Sequence, residues 1–335
     1  MIKVCHMTSA HEEEDIRIFR KECVSLAEAG YDVYLVERGD SYDKNGVHIV
    51  GVGEIPTSRL KRMTEGAKMV YQAARALDAD IYHFHDPELL PYGLKLKKAG
   101  KKVIFDSHEM YTEQIREKPY LPHWFARLLS HAYGKYESHV LGRIDGLVYT
   151  CLKDGVHPFA GKCRHITTID NTPMLWELYD RYDPAAKKEA GSVVYVGGLS
   201  YARGITHLIT AAAKADCTLY LAGMFDSEEY RHTVEALPGY SCVQYLGLLG
   251  REQVVALLQR CCVGAATLLN IGQYNQDDNL ATKVYEYMSL GIPVLLSRSA
   301  YNERVMNQYH FGLCVEPDNV DELAQACLLY TSDAA

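Results

Sequence analysis

The sequence lacks the features that would make it span a membrane, leave the cell or carry a zinc finger. Its 335 residues contain no apolar run of 18 residues, so no segment predicts a transmembrane helix. The opening MIKVCHMTSAH runs straight into a strand-like segment without a basic region or cleavage site, and we expect no export signal. The ten cysteines show no CxxC spacing, which favours reduced thiols in a cytosolic protein.

Signatures of several common functions are also missing. No GxGxxG follows the first predicted strand and no Walker loop occurs, so the usual nicotinamide and P-loop signatures are excluded. No HExxH or comparable ligand pair accompanies the histidines, and the sequence Asp78-Ala79-Asp80 precedes a strand, so we expect no metal site. The net charge of −8 argues against general nucleic-acid binding, which needs a basic face.

The sequence does show a regular alternation of strand and helix patterns. Short apolar runs such as KVCHMT and DIYHFH in the first half, and SVVYVGG and PVLLS in the second, are separated by longer helical patterns. This alternation predicts an α/β fold with parallel sheets covered by helices on both faces. A chain of this length usually forms more than one core. We therefore predict domains at residues 1–172 and 191–335, joined by a linker at 173–190 that is rich in proline and charge.

Polar residues follow several strands of the predicted first domain. Ser9, His11, Asp15 and Arg17 come after the first strand, His85 and Asp86 after the third, and His108 and Glu109 after the fourth. Ligands of open parallel sheets bind at the carboxyl ends of the strands, so we expect these side chains to meet at one sheet edge. A purely structural role for each histidine is the alternative, and metal binding is a second one.

A glycine turn in the second half is suited to binding phosphate. The segment SVVYVGGLSYARG predicts a strand, a turn at Gly197 and Gly198, and a cation at Arg203 near the start of a helix. This arrangement suits the anchoring of a pyrophosphate.

A short helix further along the chain carries a lysine and a glutamate. The segment NLATKVYEYMSLGIPVLLS predicts a helix from Lys283 to Leu290, ended by Gly291 and followed by a buried strand. We expect the start of this helix to lie at the same sheet edge as Arg203. A surface ion pair between Lys283 and Glu286, three residues apart, is the alternative interpretation.

Four segments resemble the family 4 glycosyltransferases of GT-B fold, in family order and at roughly family spacing. They are HEEEDIRIFRKECVSLAEAGYDV, DIYHFHDPELLPYGLKLKKAGKKVIFDSHE, YVGGLSYARGI and KVYEYMSLGIPV. The similarity runs from the first strand to about Ala326. It implies two Rossmann-like doubly wound domains with an interdomain cleft. It also implies a retaining transferase of the EC 2.4 class that moves a sugar from a nucleoside-diphosphate sugar to a glycan or lipid-linked acceptor, without a cofactor or metal.

The resemblance also implies roles for individual residues. Glu286 matches the second acid of the family's EX7E signature and would hold the ribose, Arg203 with Lys283 would hold the diphosphate, and His108 would line the reaction centre. The donor-side set is Gly197, Gly198, Arg203, Gly223, Leu246, Asp278, Asn279, Lys283 and Glu286. The catalytic set is His108, Glu109 and Asp15, and the acceptor-side set is Ser9, His11, His85 and Asp86.

Two positions depart from the family pattern. The first acid of the signature falls on Asp278 instead of glutamate, and Gly198 stands where many members have a basic residue. Front-face transfer is expected because no nucleophilic carboxylate is evident. Two alternatives remain, a nonhydrolysing nucleotide-sugar epimerase and a non-catalytic scaffold that binds nucleotide sugars.

Two segments combine basic and apolar residues as interfacial helices do. They are residues 58–77 and 116–135, the latter with Trp124 and Phe125. We expect either peripheral contact with the inner face of the membrane or packing on the first domain. The final LLYTSDAA looks like a translated adapter sequence, so we expect the natural chain to continue.

Overall fold

The structure is a computed structural model that describes residues 1–116, 118, 121–174, 178–271 and 278–332. It divides into two compact units. The first comprises Met1–Cys151 and Val156–Asn171, and the second comprises Leu152–Gly155 and Thr172–Ala335. Parts of the predicted linker and of the predicted tail, residues 175–177 and 333–335, lie outside the described ranges.

The first unit is built on an eight-stranded sheet. Its strands are β1 (Lys3–Met7), β2 (Asp32–Glu37), β3 (Tyr42–Lys44), β4 (Val47–Gly51), β5 (Ile81–Phe84), β6 (Lys102–Ser107), β7 (Gly146–Tyr149) and β8 (His165–Thr168). They lie in the order β3-β4-β2-β1-β5-β6-β7-β8, and only the β3/β4 pair is antiparallel. Without the edge strands β3 and β8, this is the doubly wound order in which the chain switches direction between β1 and β5.

Helices connect these strands, and the first of them begins as a π-helix. The helical segments are Ile16–Cys23 (π), Val24–Glu28, Arg59–Lys61, Arg62–Gly66 (π), Ala67–Ala76, Pro87–Leu89 (3-10), Leu90–Lys98, Tyr111–Arg116 and His123–Leu141. In this first helix, Ile16 is exposed whereas Ile18 and Phe19 are buried. A π-helix has more residues per turn than an α-helix, so its buried face is displaced along the sequence.

The hairpin formed by β3 and β4 is absent from the predictions. Its turn is Asn45-Gly46, with φ of 53° and 78°. An Asn-Gly pair between short strands is the strongest local signal for a type I′ hairpin turn, so the sequence did carry the information.

The second unit contains a six-stranded, fully parallel sheet. Its strands are β9 (Ser192–Val196), β10 (Thr218–Ala222), β11 (Val243–Gly247), β12 (Val263–Ala266), β13 (Val294–Ser297) and β14 (Gly312–Val315). The order β11-β10-β9-β12-β13-β14 is again doubly wound, with the switch between β9 and β12. The two units therefore confirm the predicted Rossmann-like α/β fold class.

Helices cover both faces of this second sheet. The helical segments are Tyr179–Arg181 (3-10), Tyr201–Arg203 (3-10), Ile205–Lys214, Glu228–Glu235, Pro238–Cys242 (3-10), Arg251–Arg260, Thr282–Ser289, Ala300–Tyr309 and Val320–Ser332. Consecutive residues of β9 enter opposite cores, because Val193 packs with Ile205 and Leu208 whereas Val194 packs with Val284 and Leu258. Burial on both faces explains why the strands read as continuous apolar runs.

The segments predicted to lie at an interface are only partly buried. Val70 and Ala74 face the core, as expected for simple packing, but Trp124 and Leu128 are 71% and 58% exposed. Within the described ranges, every helix is either too short or too polar to cross a lipid bilayer.

Candidate functional site

Asp86 organises the loop that follows β1. Its buried carboxylate accepts hydrogen bonds from Thr8 Oγ1 at 2.9 Å and from the Ser9 backbone N–H at 2.6 Å. Thr8 Oγ1 in turn accepts the His11 N–H at 3.2 Å. Ser9 and Asp86, both predicted on the acceptor side, therefore shape the loop that presents His11.

The structure brings three predicted histidines together at the carboxyl ends of β1, β5 and β6. The rings of His11 and His108 have centroids 4.6 Å apart, and His108 Nε2 lies 3.2 Å from His85 Nδ1. The His85 side chain is fully buried, whereas the side chains of His11 and His108 are 25% and 15% exposed. A ligand could therefore touch His11 and His108, but His85 acts through its neighbours.

Asp106 holds this histidine group in place and was not among the predicted site residues. Arg17 donates to it through Nε at 2.9 Å and Nη2 at 3.1 Å, and His108 Nε2 lies 3.4 Å from Oδ2. Burial alone would raise the pKa of Asp106, but hydrogen bonds with His108 and His85 and the charge of Arg17 hold it well below its usual value. The only sequence signal was a carboxylate that directly follows the apolar residues Val103–Phe105 of β6.

Asp15 caps the first helix and pairs with His11. Its Oδ1 accepts the backbone N–H groups of Arg17 and Ile18 at 2.8 and 2.9 Å, and its Oδ2 lies 3.5 Å from His11 Nδ1. Burial would raise the pKa of Asp15, but His11 and these N–H groups lower it to about 2. Burial would lower the pKa of His11, but Asp15 and Asp86 raise it. The catalytic roles of Asp15 and of the exposed Glu109 stay predictions.

In the second unit, two cations converge on the glycine turn after β9. A Cβ on Gly197, whose φ is +133°, would lie 3.1 Å from Lys283 Nζ, and a Cβ on Gly198 would lie 3.5 Å from the Arg203 guanidinium. Lys283 Nζ also stands 3.5 Å from the centre of the Tyr195 ring, a cation–π contact. The turn, Arg203 and Lys283 thus form one group, as expected from the sequence.

Lys283 is buried without a counter-charge in hydrogen-bonding contact. It is 8% exposed, and its Nζ has no hydrogen-bond partner among the described residues. Burial lowers its pKa well below the usual value, and Arg203 adds to this effect. The alternative of a surface ion pair with Glu286 is wrong, because Glu286 Oε1 instead accepts from Arg251 Nη1 at 2.7 Å.

A cavity of about 280 Å³ adjoins the glycine turn. Its walls are formed by Val196, Gly197, Gly198, Ala222, Gly223, Met224, Leu248, Leu249 and Val254. Gly223 has φ +141°, and a Cβ there would lie 1.9 Å from the Gly197 carbonyl oxygen, so only glycine allows the two turns to approach this closely. Leu246, at the end of β11, is 37% exposed.

The carboxylate of Asp278 contacts other groups of the protein. Its Oδ2 accepts the Gly155 N–H at 2.5 Å and lies 3.8 Å from Arg304 Nη2, and its own N–H donates to Leu152 O at 2.8 Å. The neighbouring Asn279 is exposed. A donor-binding role for either residue stays a prediction.

Two family matches divide the chain between them. Residues 19–152 match the family described as Glycosyltransferase Family 4, and residues 180–334 match Glycosyl transferases group 1. The chain is a family 4-like glycosyltransferase. Its reaction is glycosyl transfer from a nucleotide sugar, which the family matches favour over the epimerase alternative.

Solved structures share the fold of this glycosyltransferase at low sequence identity. Sucrose-phosphate synthase from Thermosynechococcus elongatus is 17% identical with a TM-score of 0.73, covering 100% of this chain and 90% of its own. Anabaena HepE in complex with UDP and glucose is 13% identical with a TM-score of 0.69, covering 99% and 90%. WaaG, a glycosyltransferase involved in lipopolysaccharide biosynthesis, is 13% identical with a TM-score of 0.67, covering 100% and 94%.

These likenesses establish the GT-B fold, as predicted. No curated protein sequence matches the glycosyltransferase.

Acidification should erase the contribution of the Asp15 charge to stability. The folded pKa of about 2 lies below the usual value of about 3.9, so the stabilisation is complete near pH 5 and is lost as the pH falls toward 2. Asp15→Asn keeps a capping side chain but removes the charge. We expect the difference in unfolding free energy between wild type and this variant, measured in urea, to shrink from pH 5 to pH 3.

Asp40 is exposed, so Asp40→Asn is the matched control and should change the free energy of unfolding little at either pH. If the difference in unfolding free energy between wild type and Asp15→Asn stays constant or grows on acidification, the lowered pKa of Asp15 is contradicted. Asp15→Ala, which also removes the cap, should cost about 1–2 kcal/mol at pH 7.

Proposed function

We propose that this glycosyltransferase retains the anomeric configuration and transfers a hexose to a glycan or lipid-linked acceptor, with no metal ion on the diphosphate. The observation that carries the proposal is the buried ammonium of Lys283, which lies beside the Gly197 turn without a hydrogen-bond partner among the described residues. A buried unpaired cation is costly, and an anion bound at the turn removes that cost.

The diphosphate is the anion that best suits this position. Lys283 and Arg203 supply two positive charges beside the glycine turn, and charge-assisted hydrogen bonds to phosphate are strong. The same cations stabilise the charge that develops on the departing nucleoside diphosphate, which a metal ion does in other transferases. HepE, which shares the fold, is seen with UDP, so a uridine nucleotide is the first donor to test.

The remaining donor residues are assigned to the nucleoside. Glu286 is proposed to bind the ribose hydroxyls, with Arg251 holding its carboxylate in position at 2.7 Å. The backbone near Leu246, at the carboxyl end of β11, is proposed to contact the base. Gly223 keeps the neighbouring turn close to Gly197 and so shapes the cavity.

The histidine group of the first unit is assigned to the acceptor and the reaction centre. His108 and His11 are its partly exposed members and are the side chains that would touch a sugar. Asp106 and Arg17 fix His108, and Asp86 fixes the loop of His11. In front-face transfer, these groups would stabilise an oxocarbenium-like sugar while the acceptor attacks from the side that the leaving group vacates.

Nucleotide binding should depend on Lys283 and need no metal. With EDTA present, we expect UDP, GDP or ADP, or the corresponding nucleotide sugar, to raise the melting temperature of the wild type. At a 100-fold excess of ligand over Kd, binding should add about 2.7 kcal/mol to the free energy of unfolding. Lys283→Met should abolish this shift, while the free variant stays as stable as wild type because a buried charge is removed. Glu286→Ala should weaken the shift.

The control is Lys214→Met, which removes an exposed lysine of the same unit and should leave the shift intact. A Lys283→Met variant that still gains the wild-type shift would refute the diphosphate assignment. The absence of a shift with every nucleotide would do the same.

The product should keep the configuration of the donor. With the nucleotide sugar chosen by the binding experiment and methanol as a small acceptor, proton NMR should detect the methyl glycoside with the donor's anomeric configuration. His108→Gln should lower kcat by about 100-fold or more, because it removes an ionisable group at the reaction centre. His165→Gln changes an exposed histidine of β8 and should have little effect.

An inverted methyl glycoside would overturn retention. Nucleotide binding without turnover in the wild type would favour the non-catalytic scaffold instead.

Peripheral membrane contact is proposed for the helix His123–Leu141. Trp124 and Phe125 lie next to each other on its first turn, and Leu128 and Leu129 follow one turn later, all four with exposed side chains. Aromatic and aliphatic side chains on one helix, with Arg127 between them, are typical of interfacial helices.

Sedimentation with vesicles of mixed neutral and anionic lipid should pull down the wild type, and added salt should reduce the bound fraction because Arg127 contributes an electrostatic attraction. Trp124→Ser combined with Leu128→Ser should release the protein. Tyr309→Ser, an exposed aromatic position in the second unit, is the control. A wild type that stays in the supernatant would disprove the contact.

A further inference from the structure

Four potential metal ligands meet inside the first unit, apart from the predicted donor residues. Glu22 Oε2 lies 3.8 Å from His6 Nδ1, 3.9 Å from His83 Nδ1 and 3.9 Å from His85 Nε2. His6 Nδ1 and His85 Nε2 are 3.0 Å apart, and all four ligand atoms lie within 4.8 Å of one another. We call this group the His3Glu cluster.

The cluster is buried and poorly satisfied by the protein. The side chains of His6 and His85 are fully buried, and those of His83 and Glu22 are 10% exposed. Neither carboxylate oxygen of Glu22 has a hydrogen-bond partner among the described residues, although Arg17 Nε lies 3.2 Å from Oε1 while donating to Asp106. Because native proteins pair nearly all buried polar groups, a carboxylate in this position calls for a partner.

We propose that His6, Glu22, His83 and His85 bind a zinc ion. Tetrahedral zinc with bonds of 2.0–2.1 Å places its ligand atoms about 3.3 Å apart, so the four groups need shifts of about 1 Å or less to close around one centre. Imidazole nitrogens favour zinc and neighbouring transition metals over magnesium and calcium, which prefer oxygen ligands.

One of the three histidines, His85, has a carboxylate near its second ring nitrogen, as zinc-binding histidines commonly do. Asp106 Oδ2 lies 3.5 Å from His85 Nδ1, the ring nitrogen on the side away from the cluster. A carboxylate on the second nitrogen of a ligating histidine fixes the tautomer and the ring orientation. Arg17 in turn holds Asp106 with two hydrogen bonds.

The position of the cluster indicates a structural role for the ion. Its ligands come from β1, from β5 and the residue after it, and from the π-helix Ile16–Cys23, so zinc would fasten the first helix to the two central strands. Four protein ligands in a buried setting leave no open coordination position for a water or a sugar. The ion therefore differs in place and function from a metal on the donor diphosphate.

The expectation of no metal site rested on absent motifs. Only His83 and His85 are near each other in the sequence, and His6 and Glu22 join them through the parallel pairing of β1 with β5 and the packing of the first helix. A zinc site assembled in this way has no spacing signature.

Metal analysis of the purified full-length chain tests the proposal. Protein refolded with zinc and then dialysed should retain about one zinc ion per chain by mass spectrometry. Zinc added to chelator-treated protein should raise the melting temperature, and Co²⁺ in its place should give the visible absorption of a tetrahedral site. Glu22→Gln, which is nearly isosteric, and His83→Phe should each abolish both effects.

His165→Phe alters an exposed histidine of the same unit and should keep the ion. If His83→Phe does not fold, the Co²⁺ spectrum of the wild type and the Glu22→Gln variant decide the question. Less than about a tenth of an ion per chain, with no thermal response to zinc, would overturn the proposal. These measurements need no nucleotide, so their failure would not affect the donor site.

Discussion

The buried pair between Arg17 and Asp106 is the interaction on which most of the first unit's polar architecture depends. It joins the first helix to β6, and Arg17 Nη1 also donates to the Ile169 carbonyl at 2.9 Å, which fixes the chain after β8. The Oδ2 atom of Asp106 also lies near ring nitrogens of His85 and His108 and so orients both rings. Breaking such a buried pair by removing one partner typically costs 3–5 kcal/mol, because a charge is left without compensation.

The two units handle buried charge in opposite ways. In the first unit, Asp106 has two hydrogen bonds from Arg17 and two histidines within reach, so its charge is compensated within the protein. In the second unit, the groups among the described residues that compensate Lys283 are the face of the Tyr195 ring and a more distant Glu286. The first arrangement satisfies the charge within the protein, and the second is the position to which we assign the donor diphosphate.

The fold and the glycine turn could be predicted from local sequence, because both depend on neighbours along the chain. Alternating strands and helices specify a doubly wound sheet, and Gly197, Gly198 and Arg203 lie within seven positions of one another. Asp106 and Glu22 could not be found in this way, since Arg17 meets Asp106 across 89 positions.

The alternative of a Lys283–Glu286 ion pair is wrong because it too depended on neighbours along the chain. The helix turn does bring these residues close, but the tertiary fold supplies Arg251, 35 positions away, as the stronger partner for Glu286. Local spacing set which residues share a helix face, and the packed structure decided which of them pair.

The depressed pKa of Lys283 makes anion binding a proton-linked event. Burial depresses the pKa of Lys283 in the free protein, and the negative charge of a phosphate beside it would raise that pKa again. At any pH between these two pKa values, anion binding would take up protons, and affinity would fall as the pH rises through that range. Release of the diphosphate that we propose for this site would return that proton, so alkaline conditions within that range would favour release.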